Sequence, residues 1–101
     1  MKIAVIGAGK MGRAAVYDLA HNPDVDAVGV YDIDAPTARL VARKYGRRNT
    51  VAGRFDAGDV KRAVALFKKY DAVISAVTYR YNPGLAKAAI AAGAHFFDLG
   101  G

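Results

Sequence analysis

The apolar run Ile3-Ala4-Val5-Ile6 passes straight into Gly7, Gly9 and Gly12, and a helical pattern starts directly behind them. Few folds accept that junction. A strand must end, the chain must reverse with almost no side chain in the way, and a helix must pack back on the strand. The spacing is G-x-G-x-x-G, the phosphate-binding turn of a βαβ unit. Gly7 permits a sharp exit from the strand. Gly9 leaves the surface bare, so that a pyrophosphate can come close. Gly12 lets the helix lie tight on the strand. The amides of Lys10, Met11 and Gly12 then point at the phosphates, aided by the helix dipole. A tight turn without a ligand is the competing reading, and three glycines alone are weak evidence. The strand before them and the helix after them favour the nucleotide turn.

The same alternation continues to the end of the chain. A strand is expected over 2–6 and a helix over 11–21, where Ala15, Val16, Leu19 and Ala20 share one face. Asn22-Pro23 ends it. A strand over 27–31 leads to Asp34, placed as an N-cap with Pro36 in the first turn. Ala38, Val41 and Tyr45 line that helix and Gly46 closes it. A weaker strand falls around 50–52. Asp59 caps a third helix carrying Val60, Ala63, Val64 and Phe67 at helical spacing. A strand over 72–77 follows. Asn82-Pro83 opens a fourth helix, with Asn82 as cap, Leu85, Ala89 and Ala92 as its buried stripe and Gly93 as its stop. The last strand runs from His95 to Leu99, before Gly100-Gly101.

The first and fourth strands are apolar on both faces, as in a parallel sheet covered by helices on each side. Right-handed crossovers then give an α/β, Rossmann-type doubly wound sheet in the order 3-2-1-4-5. The 101 residues suit one domain, 1–101. No helix follows the fifth strand, which leaves a sheet edge uncovered. The expectation is the N-terminal part of a longer protein, with a self-pairing stand-alone module or a truncated piece as alternatives. Homo-oligomerisation stays open.

Composition removes several function classes. No apolar run approaches the ~20 residues that span a bilayer, and no signal-peptide pattern opens the chain. A soluble, cytoplasmic protein without a membrane partner is expected. Cysteine is absent, which excludes disulfides and thiolate chemistry. The net charge of +6 raises nucleic acid as a partner. The cations are scattered in pairs, however, and no aromatic or helix-turn-helix pattern accompanies them, so a solvated face is favoured. His21 and His95 have no metal-ligand spacing, and no metal is expected.

Asp32 ends the second strand twenty positions after Gly12. An acid there accepts hydrogen bonds from the adenosine ribose hydroxyls and repels a 2′-phosphate, which favours NAD over NADP. Arg39 weakens that preference, since a nearby arginine suits a 2′-phosphate. Asp56 and Ala57 follow the third strand where an adenine edge would lie. For Asp56 a ligand role and a turn role are balanced. Ala76, Val77 and Thr78 follow the fourth strand at the switch point of the sheet, and their small size lets a cofactor pass. Tyr79, Arg80, Tyr81 and Asn82 come next, within reach of a substrate. No catalytic residue is assigned.

The motif "IGAGKMG", the "DAGD" of 56–59 and "YDAVISAVTYRYNPGLAKAAIAAGAHFFDLGG" over 70–101 together resemble the saccharopine dehydrogenase family, its lysine 6-dehydrogenase-like branch in particular. The resemblance covers essentially the whole chain, and only the N-terminal dinucleotide-binding part of those much longer enzymes. It implies that Gly7, Gly9, Met11 and Gly12 hold the pyrophosphate, Asp32 the ribose, and Asp56 and Ala57 the adenine side. It also implies that Ala76, Val77 and Thr78, with Asp98 and Gly100, line the nicotinamide half. The activity it implies is NAD-dependent hydride transfer at an amino-acid carbon bearing nitrogen, with a small amino-acid substrate held largely by a further domain. The isolated chain is then expected to be inactive. The alternative is a stand-alone nucleotide-sensing module without catalysis. The glycines and Asp32 serve both readings, while the 79–82 segment and the "DLGG" end favour the enzyme.

Overall fold

Strand and helix alternate through the computed structural model, which describes residues 1–100. The elements are β1 (Lys2–Ile6), α1 (Lys10–Ala20), β2 (Ala27–Asp32), α2 (Ala35–Tyr45), β3 (Thr50–Arg54), α3 (Val60–Phe67), β4 (Ala72–Ser75), α4 (Asn82–Ala92) and β5 (His95–Asp98). The five strands form one parallel sheet in the order β3-β2-β1-β4-β5. This is the predicted α/β doubly wound sheet. Gly101 lies outside the described residues.

The sheet carries a core on each side. Ile3, Val5, Val28 and Val30 point to α1 and α2, where Val16, Ala20, Ala38 and Val41 meet them. Ala4, Ile6 and Val73 point the other way, to Phe67, Leu85, Ala88 and Ala89 of α3 and α4. Alternation along β1 thus feeds both layers, and its run Ile3–Ile6 is buried throughout.

Three local expectations change. β4 stops at Ser75 rather than running to residue 77, because the chain turns at the sheet end into a short 3-10 turn over Tyr79–Tyr81. β3 extends to Arg54, beyond the expected 50–52. Its Gly53 sits beside the ring of Tyr31, where an added Cβ would come within 3.1 Å. Asn82 is not the cap of α4. Tyr81 holds the N-cap position, and the Asn82 side chain accepts a hydrogen bond from Ser75 Oγ at 2.6 Å. By contrast, Asp59 caps α3, its carboxylate accepting the Arg62 amide at 3.2 Å. Asp34 occupies the N-cap position of α2 but bonds the Thr37 hydroxyl instead of a backbone amide. Among the described residues no helix is long and apolar enough to cross a membrane.

Candidate functional site

The glycine turn joins β1 to α1 at the C-terminal edge of the sheet, and its three glycines meet three different surroundings. Gly7 has φ +105, a left-handed conformation that L side chains rarely adopt, and a Cβ there would sit 2.8 Å from the Ala76 carbonyl oxygen. Gly12 packs so close that a Cβ would lie 1.9 Å from the Gly7 carbonyl oxygen. Gly9 is different. Its φ is −75, and an added Cβ would meet nothing within 4 Å. The fold does not need a glycine at this position. Space over Gly9 is what a bound pyrophosphate would use. Gly9 is also the N-cap of α1 and has no side chain to cap it, so the first-turn amides of Lys10, Met11 and Gly12 are left to an outside acceptor.

The turn is braced against β2. The Gly7 amide donates to the Tyr31 carbonyl at 2.7 Å. Asp32 finishes the brace, one carboxylate oxygen accepting the Ala8 amide and the other the Asp34 amide, each at 2.9 Å. Asp32 therefore locks the turn to the strand end.

Beside it opens a cleft of about 230 Å³, lined by Ile6, Tyr31, Asp32, Ile33, Phe55, Asp56, Ala57, Val77, Thr78 and Tyr81. Six of the residues singled out in the sequence, Asp32, Asp56, Ala57, Val77, Thr78 and Tyr81, meet here at or just past the C-terminal ends of β2, β3 and β4. Ala76 joins the turn itself, packed on Gly7. Asp56 also makes a turn, accepting the Gly58 amide at 2.8 Å. Larger hollows, of about 570, 650 and 570 Å³, lie outside this cleft, by His21 and Asn49, between α1 and α2, and along α2 and β3.

Several expected site residues stand apart from the cleft. Lys10 borders the groove between α1 and α2. Asp98 pairs in register with Ser75 and accepts the Gly100 amide at 2.5 Å, which places both residues two strands from the glycine turn. The sequence reading also missed apolar walls. Ile33 and Phe55 each adjoin a chosen acid, and that adjacency was the available signal. Tyr31 faces Tyr70 with their hydroxyls 2.6 Å apart. Burial first, and then that hydrogen bond, pushes the Tyr70 phenol above its ordinary value. Gly29 makes room for the pair, since a Cβ there would lie 2.2 Å from the Tyr70 hydroxyl.

The family model described as the saccharopine dehydrogenase NADP binding domain matches residues 3–100. The chain belongs to this family. Among solved structures, the domain is similar to apo saccharopine dehydrogenase (L-Glu forming) from Saccharomyces cerevisiae, with a TM-score of 0.83 and 26% identity over 96% of this chain and 21% of that one. A wide-type short-chain dehydrogenase/reductase from Veillonella parvula in complex with NADP matches with a TM-score of 0.74 at 10% identity, over 96% of this chain and 46% of that one. Scyllo-inositol dehydrogenase from Lactobacillus casei, with NAD(H) and scyllo-inositol bound, gives 0.72 at 20% identity, over 97% and 27%. The last two show the fold alone. The chain spans about a fifth of the yeast enzyme's length.

The family match corrects one expectation. The family is an NADP-binding one, so the preference for NAD drawn from Asp32 is overturned. The geometry supplies a physical reason: each Asp32 oxygen already accepts a backbone amide, so this acid is explained by the turn it braces. Its presence is therefore no evidence for NAD, although its charge still repels a 2′-phosphate placed beside it.

Proposed function

We propose that this domain, residues 1–101, holds NADP for a longer oxidoreductase acting on an amino-acid carbon that bears nitrogen, as in the lysine 6-dehydrogenase-like branch. The observation that carries the nucleotide reading is the open space at Gly9, above helix amides that the chain leaves uncapped. In this reading Gly9, Lys10, Met11 and Gly12 receive the pyrophosphate through backbone amides, and Gly7 makes the turn that brings it close. Asp32 faces the ribose, and Asp56 and Ala57 border the adenine with Ile33 and Phe55 as apolar walls. Ala76, Val77 and Thr78, with Asp98 and Gly100, lie on the nicotinamide side.

The nicotinamide, when bound, exchanges a hydride with the substrate carbon. This chain's residues bind and orient the dinucleotide at the switch point and keep its adenosine half against an apolar wall. Substrate-binding groups and the proton-transferring residue belong to a further domain. The test of the substrate class is reduction of NADP by lysine, by saccharopine or by other amino acids. It is followed by the absorbance of the reduced nicotinamide in the longest native form of the protein. Turnover with an amino acid supports the reading. Turnover only with hydroxyl substrates contradicts it.

A further inference from the structure

A domain that takes NADP while carrying an acid at the end of β2 has an electrostatic problem. The 2′-phosphate hangs from the ribose beside that acid, and two anions side by side repel. A cation must offset them at the same strand end. β2 and β3 pair in register there, Asp32 opposite Arg54. Register partners in a parallel sheet carry their side chains on the same face, as Val30 and Ala52 do one pair earlier, both packed in the same core layer. Arg54 therefore projects on the face that carries Asp32, one strand further out. It is exposed and makes no ion pair among the described residues.

The other arginine considered from the sequence lies elsewhere. Arg39 borders a depression with Arg43, Arg47 and Val51, away from the cleft. Arg54 instead ends β3 opposite Asp32 and directly precedes Phe55, a wall of the cleft.

We infer that Arg54 is the residue that admits NADP, by holding the 2′-phosphate with its guanidinium beside the braced Asp32 carboxylate. The inference rests on the proposed NADP-holding function. A charge-assisted, forked contact of this kind is specific to the phosphate, so its loss falls on one cofactor and spares the other.

The test is calorimetric titration of wild type, Arg54→Ala, Arg54→Lys and Arg39→Ala with NADP and with NAD. Circular dichroism checks each fold. Arg54→Ala is expected to weaken NADP by about tenfold to a hundredfold and leave NAD within about twofold. Arg54→Lys restores part of the loss, because it keeps the charge without the fork. Arg39→Ala leaves both cofactors unchanged. Equal weakening of both cofactors in Arg54→Ala, or no change in either, overturns the inference while the function stands. A folded wild type that binds neither dinucleotide overturns the function and this inference with it.

Discussion

A Cβ on Gly12 would lie 1.9 Å from the Gly7 carbonyl oxygen, whereas one on Gly9 would meet nothing within 4 Å, so the two glycines fail in different ways. Gly12→Ala forces α1 off β1 and is expected to cost about 1–3 kcal/mol or more, read as a lower urea midpoint. Gly9→Val changes the N-cap from a tolerated residue to a poor one, at a cost of about 1 kcal/mol. The same substitution fills the space above the turn and should abolish NADP binding. Unchanged affinity in a folded Gly9→Val domain would show that the turn is structural only. The tyrosine pair gives a prediction in pH. The folded-state value of the Tyr70 phenol is raised, so its stabilisation is complete below the ordinary phenol value of 10 and lost as pH rises through the folded value. Tyr70→Phe removes a hydrogen bond worth about 1 kcal/mol. The stability gap between wild type and Tyr70→Phe should therefore narrow above about pH 10, measured by urea unfolding across alkaline pH. A gap that widens there would contradict the assignment.

At the scale of elements, the junction between β4 and α4 departs most from the sequence pattern. An Asn-Pro pair ahead of an apolar stripe has the look of a cap, yet Asn82 stands inside the helix and accepts the hydroxyl of Ser75, a side chain only 2% exposed. Local sequence could not show this, because the partner lies across the turn and is brought there by the sheet. Asn82→Ala should leave that hydroxyl without its acceptor and cost about 1–3 kcal/mol. Adding Ser75→Ala should recover part of the loss, and a double-mutant cycle in urea measures the coupling. Simple addition of the two costs would mean that the bond carries no energy. The elements read correctly were those with a pattern of their own. β1 is apolar on both faces, and Gly93 stops α4 in a left-handed turn at φ +79. The full length of β3 was hidden, because Gly53 makes sense only under the ring of Tyr31 on the neighbouring strand.

Taken as a whole, the molecule brings Asp32, Asp56, Ala57, Val77 and Thr78, spread through the sequence, into one cleft at the C-terminal edge of the sheet. That gathering was legible because strand order follows from alternation and right-handed crossovers. The cofactor was not legible from Asp32 alone, since the carboxylate's hydrogen bond to the Ala8 amide exists only once β1 and β2 lie side by side. The net charge of +6 acts at this scale too. Attraction for an anionic dinucleotide should weaken as salt rises, and affinity measured across an ionic-strength series checks it. Titration of the domain with NADP, wild type beside Gly9→Val, tests the central claim most directly. Saturable one-to-one binding in wild type, lost in Gly9→Val, is the expected result. A folded wild type that takes up no NADP, or a Gly9→Val variant that binds it equally well, would contradict the account.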